Sequence, residues 1–512
     1  MESKKRPVLC IKTRRTNTSS CADAGEVREG PETEEERGRV REEEEPVSPS
    51  GLLFRQRHLD CYIVAMVGIG KTIDVAAIKA GLAATLVNHP RFSSVQVGRR
   101  EKLKWVRTEV AVDDHVIVPD LDLKSSTSSV TGDKVVEDYV SSLTTAPMDA
   151  SRPLWELHIL NVRTSEAAAV AVFRIHHSLG DGVSLISLLL ACTRRTSDPA
   201  SLPTLPEPRP PPPSPLRPNA LLAVLLYAWA VLVLAWNTVV DLFFLVATST
   251  WLRDTPTPLK GGEGVEFKPK RIVHSTVSLD DIKAIKNSMN CTINDVLVGV
   301  TSAGLSRYLN RRYGEDDAEK RKKKQLPANI RLRSAMLVNV RPMLGIQALA
   351  DMMEGKTCGL KWGNFLSYMI LSFPIVMYKD MLDYIRKGKA IVDKRKNSLQ
   401  PVIMYRCAHF FVRKFGIKGG AAIIYKLVSN TTFSFSNIVG PVDEIGFYGH
   451  PIVYLAPSVY GHPHALTLHY QSYMNTMKIV MGVDESVIPD PHQLLDYLAE
   501  SLKLIKEAIS TR

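Results

Sequence analysis

The chain has 512 residues, 45% of them hydrophobic and 23% charged, enough to bury one large core or two medium ones. Its 65 lysines and arginines outweigh 53 acids for a net charge of +12, which suits nucleic acid, anionic lipid or a phosphate-bearing small molecule. The aliphatic content excludes a disordered chain, and seven cysteines without a CxxC pair exclude a disulfide scaffold and a cysteine-rich zinc site.

Residues 1–45 mix Arg, Glu, Ser and Thr without apolar periodicity and read as a solvated tail. The opening MESKKRPVLCIKTRR lacks the apolar run of a secretory signal, so the catalytic parts are expected on the cytosolic side. Folding begins near Pro46, with helical spacing over 73–89 and extended chain over 102–112. AAAVAVFRI, a polar turn and VSLISLLLACT then read as strand, loop and helix, closing a first half over 46–202. Nine prolines in 203–218 make an extended linker, because proline continues neither a helix nor a ladder.

Segment 219–252 is membrane-associated by composition. Residues 220–236 are uncharged and apolar, long enough to span a bilayer if extended to Val240, since about 20 residues suffice. Arg217, Arg253, Trp236 and Trp251 suit its interfacial ends, although a buried core helix passes the same test. A second half over 265–512 begins with the strand RIVHSTVSL and the helix INDVLVGVTSAGLSRYL. It continues with the strand SAMLVNVRP and with FLSYMILSFPIVMY (365–378), read as a very apolar helix broken at Pro374. Alternating HALTLHY and MKIVMGV strands and an amphipathic terminal helix complete it.

The chemistry concentrates in His176-His177-Ser178-Leu179-Gly180-Asp181-Gly182. Strand alternation sets the two histidines on opposite faces, His177 sharing the apolar one with Phe173 and Ile175. A buried neutral imidazole there takes a proton from a hydroxyl. Asp181 either orients that imidazole or pairs with an arginine to fix the loop, the second role being favoured, and Gly182 permits close backbone approach.

HHSLGDG is joined by Pro153-Leu154-Trp155, Asn294-Asp295, Asn339-Val340-Arg341-Pro342 and Ser436-Asn437-Ile438-Val439-Gly440-Pro441. With these motifs in this order, the chain from Pro46 onward resembles the plant bifunctional wax ester synthase/diacylglycerol acyltransferases of the coenzyme A-dependent acyltransferase superfamily. The resemblance implies a two-domain α/β fold of mixed sheets, flanking helices and a central channel. Acyl-CoA and the acceptor, a long-chain alcohol or diacylglycerol, would enter it from opposite ends. His177 would be the general base, with Asp181, His176 and Gly182 completing the motif, and no acyl-enzyme is implied, consistent with the lack of a GxSxG elbow. Asn294 is the candidate oxyanion donor, Asn339 and Arg341 substrate-side residues, Arg341 a partner for Asp181, and Trp155 a packing residue shaping the acyl channel. For Asn294, Asn339 and Asn437 the alternative is an amide that caps a helix or ties a turn.

No cofactor is expected, acyl-CoA being a substrate, and no nucleic-acid module accompanies the charge. MVGIGKT at 66–72 lacks the first glycine of a phosphate loop. His462, His464 and His469 have no metal-ligand company, and KRKKK at 320–324 reads as a solvated loop or a site for CoA phosphates or lipid headgroups. The rival to an enzyme is a non-catalytic membrane lipid-binding protein that kept the fold. The expected host is the endoplasmic reticulum membrane, with the plasma membrane as the alternative. A single crossing by 220–246 would part His177 from Asn294, so a hairpin turning near Asn237 and Asp241, or a helix lying in one leaflet, is expected.

Overall fold

The computed structural model describes residues 44–99, 102–121, 131–206, 220–315, 326–340, 345–354, 356 and 362–511. Almost all of the expected tail, most of the proline linker, KRKKK and Arg341 with Pro342 lie outside the described residues.

In chain order the first elements are β1 (Glu44–Pro46), α1 (Pro49–Leu53), β2 (Tyr62–Ile69), α2 (Val75–Ala84), β3 (Ser94–Val97), β4 (Lys104–Arg107) and β5 (Val116–Ile117). Next come α3 (Gly132–Leu143), β6 (Trp155–Leu160), β7 (Ala169–His176), α4 (Gly182–Ala191), β8 (Thr193–Arg195) and the long α5 (Ala220–Thr250). The remainder comprises β9 (Arg271–Ser278), α6 (Leu279–Ser288), α7 (Ile293–Glu315), β10 (Arg333–Asn339), α8 (Ile346–Met353), β11 (Leu366–Ser372), α9 (Leu382–Lys396) and α10 (Gln400–Ser429). It ends with β12 (Phe433–Ile438), β13 (Ile445–Phe447), β14 (His450–Tyr460), β15 (Leu466–Tyr473), β16 (Thr476–Val483) and α11 (Pro491–Ser510).

Two mixed sheets carry the fold. One runs β5-β6-β7-β2-β14-β13-β8, the other β11-β10-β12-β15-β16-β9, and a small sheet β1-β4-β3 lies apart. The first sheet begins with residues before the membrane-type segment and is completed by β13 and β14 from after it. β7 is buried at all eight positions, because β6 and β2 flank it and both of its faces are covered. Its polar Arg174 is satisfied there by Glu156 and the Tyr460 hydroxyl.

Segment 365–378 is a correction. It forms not an apolar helix but the edge strand β11, antiparallel to β10 from Leu366 opposite Asn339 to Ser372 opposite Arg333. Gly363, with φ of 134°, and Pro374 leave too few residues between them for a stable helix, and a short apolar run so bounded pairs as a strand.

The expected turn at Asn237 and Asp241 is a second correction, since α5 is helical without a break from Ala220 to Thr250. Asn237, Thr238 and Asp241 are buried because this is where the helix docks against the body. Asp241 pairs with Arg395 of α9, and the Thr238 hydroxyl accepts from the Leu399 amide at 2.9 Å. The far end is held by Arg333, whose guanidinium meets Asp254 at 2.5 Å, the Thr248 hydroxyl at 2.5 Å and the Leu252 carbonyl at 2.8 Å. The preceding residues 221–236 hold the densest run of exposed apolar side chains among the described residues, including Leu225, Trp229, Leu232 and Trp236.

Candidate active site

Between the two sheets lies an apolar cavity of about 570 Å³, within the range of small-molecule sites. Phe173, Ile175 and His177 line it together, as the alternation in β7 predicts. The His177 amide donates to the Cys61 carbonyl at 2.9 Å, which carries the ladder one residue past β7 before the chain turns. Burial holds the His177 imidazole down at about 4, so it is neutral at pH 7 and available as a proton acceptor. Its Nδ1 has no hydrogen-bond partner among the described residues.

His176 is also buried but faces the other way, Nε2 lying 3.0 Å from Asp60 Oδ1 and Nδ1 2.6 Å from the Ser178 hydroxyl. It does not line the cavity, so the two histidines are not a working pair.

Asp181 caps α4. Its Oδ1 accepts from the Ser184 amide at 2.8 Å and hydroxyl at 2.6 Å, and its Oδ2 from the Phe365 amide at 3.1 Å. The carboxylate therefore ties the histidine loop to the entry of β11. Its expected arginine partner, Arg341, lies outside the described residues. Gly182 opens α4 on the cavity wall, and a Cβ placed there would meet nothing within 4 Å. This corrects the expectation of a close backbone approach: the missing side chain leaves volume instead.

Across the cavity, Asn294 at the start of α7 is exposed at an open mouth, and its Oδ1 accepts from Asn437 Nδ2 at 2.8 Å. The bond joins the Asn294-Asp295 motif to the Ser436-Asn437 motif and leaves Asn294 Nδ2 as a donor. The neighbouring Asp295 is buried and accepts from the Thr292 amide, capping the helix. Asn339 ends β10 opposite Leu366, and its side chain lies outside the described residues. Trp155 is fully buried but not a cavity wall. Its Nε1 donates to the Phe92 carbonyl at 2.9 Å and its ring stacks on His115 at 4.3 Å, so it packs beneath the sheet, which corrects its place in the acyl channel.

Phe54, Trp362 and Asn364 reach the site without a sequence signal. Phe54, the residue after α1, stacks on the His177 ring at 4.2 Å. Asn364 donates to the His177 carbonyl at 2.9 Å, and Trp362 Nε1 to the Leu179 carbonyl at 2.6 Å, so the segment before β11 clamps the loop from outside. His462, His464 and His469 line the same cavity, all pushed down by burial, His462 to about 3 and His469 to about 4. The Ser436 hydroxyl lies 2.5 Å from His469 Nδ1. A neutral histidine beside an apolar cavity and an amide donor across from it can together activate a hydroxyl and stabilise an oxyanion.

The sequence profile of the wax ester synthase/diacylglycerol acyltransferase catalytic domain matches residues 75–297, and that of the WS/DGAT C-terminal domain matches residues 362–506. The chain is 48% identical over 497 residues to wax ester synthase/diacylglycerol acyltransferase 6 of Arabidopsis thaliana, covering 92% of this chain and 95% of that protein. It is 48% identical over 487 residues to number 5 of the same organism, with 92% and 95% covered. Among solved structures, the wax ester synthase/diacylglycerol acyltransferase of Marinobacter aquaeolei VT8 shares the fold with a TM-score of 0.54 at 16% identity, over 91% of this chain and 100% of that one. The TRI3 trichothecene 15-O-acetyltransferase of Fusarium sporotrichioides shares it with a TM-score of 0.54 at 12% identity, over 90% and 95%.

Proposed function

Because the chain belongs to the wax ester synthase/diacylglycerol acyltransferase family, we propose that its cavity joins a fatty acyl group from acyl-CoA to a long-chain alcohol, with diacylglycerol as a second acceptor. The protein is an acyltransferase. The observation that carries the assignment to this cavity is the neutral His177 on the wall of an apolar space of about 570 Å³.

In this reading His177 removes the proton of the acceptor hydroxyl as its oxygen attacks the thioester carbonyl. The tetrahedral oxyanion is met by the Asn294 amide, which Asn437 orients by holding its oxygen. Collapse breaks the carbon–sulfur bond, and the proton on His177 passes to the departing CoA thiolate, restoring the neutral base. Lys396 of α9 also lines the cavity and places positive charge where CoA phosphates would approach, whereas Arg395 beside it is paired with Asp241. Asp181 holds the loop and touches no substrate.

Helix α5 is long and apolar enough to cross a membrane, with mean hydropathy 2.1. We place it along one leaflet of the endoplasmic reticulum membrane. Residues 221–236 extend only about 24 Å at 1.5 Å per residue, short of a hydrocarbon core of about 30 Å. Chain on both sides of α5 packs into the same body, Leu205 on the first sheet's core and Leu252 against Arg333, so a single crossing would tear it apart. The activity test is incubation of the purified protein with labelled palmitoyl-CoA and a mixture of hexadecanol and dioleoylglycerol. Labelled wax ester exceeding triacylglycerol supports the reading, and CoA release without either ester refutes it.

A further inference from the structure

A second, much smaller hollow adjoins the reaction cavity. It is bounded by Leu53 and Phe54 of the α1 region, by Leu366 and Tyr368 of β11, and by Met404 and Ala408 of α10. Phe54, Leu337, Leu366 and Tyr368 line both spaces, so these side chains form the partition between them. Phe54 is the decisive one, because its ring covers His177 from this side at 4.2 Å. The hollow holds about 40 Å³, room for a few waters and too little for an alkyl chain, so the partition is closed to one in this structure.

The outer wall of the hollow is the helix with the second concentration of exposed apolar side chains. α10 buries Ile424 and half-buries Met404 and Ala408 toward the hollow, while Val402, Phe410, Phe411, Phe415 and Ile423 are exposed. Phe411 and Phe415 stack on each other in the open, and Arg406, Arg413, Lys414 and Lys418 are exposed among them. Gly416, at φ of 74°, bends the helix beside this patch. α10 packs on α5, so the aromatic and cationic face adjoins the apolar helix on the same body. Exposed aromatics interleaved with cations suit an anionic bilayer surface and no aqueous partner of the same sign.

We propose that the acceptor alcohol enters from the bilayer under α10, through this hollow, and reaches His177 when Phe54 swings aside. The occupant is a single alkyl chain drawn from the leaflet. Its hydroxyl trails behind the chain's entry until it meets the base, and the mouth beside Asn294 is left to acyl-CoA. The inference rests on the acyltransferase reading and adds the route and its gate.

The test uses full-length protein in vesicles of phosphatidylcholine and phosphatidylserine, comparing hexadecanol carried in the vesicles with water-soluble butanol. In Ala408→Trp the indole fills the hollow outside the partition, and the ratio of kcat/KM for hexadecanol to that for butanol falls about tenfold, mainly through KM. If Ala408→Trp fails to fold, Ala408→Cys in a Cys407→Ser background is folded first and then capped with a benzyl thiosulfonate, giving the same fall. Phe54→Ala widens the gate and moves the ratio the other way. A ratio unchanged in the blocked proteins, with wild type making ester from both alcohols, overturns the route and leaves the acyltransferase reading standing. No ester from either alcohol with wild type overturns that reading and the route with it.

Discussion

Replacing Asp181 separates two roles that a carboxylate four residues after a catalytic histidine can play. The side chain caps α4 and, among the described residues, accepts from the Ser184 amide, the Ser184 hydroxyl and the Phe365 amide. Truncation to alanine removes a cap worth about 1 kcal/mol and strands a second backbone donor beneath the loop, which costs about 1–3 kcal/mol more. Asp181→Ala should therefore lose about 3 kcal/mol in urea unfolding of the detergent-solubilised protein. Asp181→Asn keeps an acceptor for Ser184 but turns an amide group toward the Phe365 N–H, so it should fall between wild type and alanine. Ester synthesis should follow the same order, because the loop that carries His177 loosens by the same steps. If Asp181 instead worked by its charge on the imidazole, asparagine would abolish activity as fully as alanine does and leave stability intact. That pattern would refute the loop-fixing account.

Acid should unfold the protein early. His177 and His469 titrate at about 4 in the folded chain against 6.5 when unfolded, so folding stability is full above 6.5 and is lost as pH falls through 4. Each such group removes about 2 kcal/mol at pH 5, and the urea midpoint should drop between pH 7 and 5; an unchanged midpoint would contradict the buried neutral state. Gly182→Leu puts a side chain into open cavity, so hexadecanol turnover should fall severalfold while the melting temperature does not; a melting loss instead would mean the site is packed. Leu225→Glu with Trp229→Glu, both more than half exposed, should abolish flotation with vesicles yet leave activity toward butanol, whereas retained flotation would move the membrane contact away from α5.

The strand and loop that carry His177 are legible in the sequence because their signals are local. Alternation along β7 points His177 inward with Phe173 and Ile175, and Asp181 followed by an apolar run marks the start of α4. Hydropathy located α5 but not its course. Asn237 and Asp241 resemble a turn until Arg395, more than a hundred residues later, supplies the partner that lets Asp241 stay helical and buried. The apolar run of β11 carries no period that separates strand from helix, and only Pro374 and Gly363 hint at its short length. Phe54 and Asn364 left no trace, being an ordinary apolar and an ordinary polar residue whose roles exist only after the chain brings them to His177 from either side. The amide pair Asn294 and Asn437 shows the converse: each motif is visible alone, and only the fold joins them.

The central claim is that His177 is the base that activates the acceptor. It is tested most directly by labelled ester formation from palmitoyl-CoA and hexadecanol with His177→Ala, checked beside wild type for the same urea midpoint at pH 7. The account predicts that ester falls to the level without enzyme while the folded protein still floats with vesicles. Undiminished ester from the folded variant would contradict it.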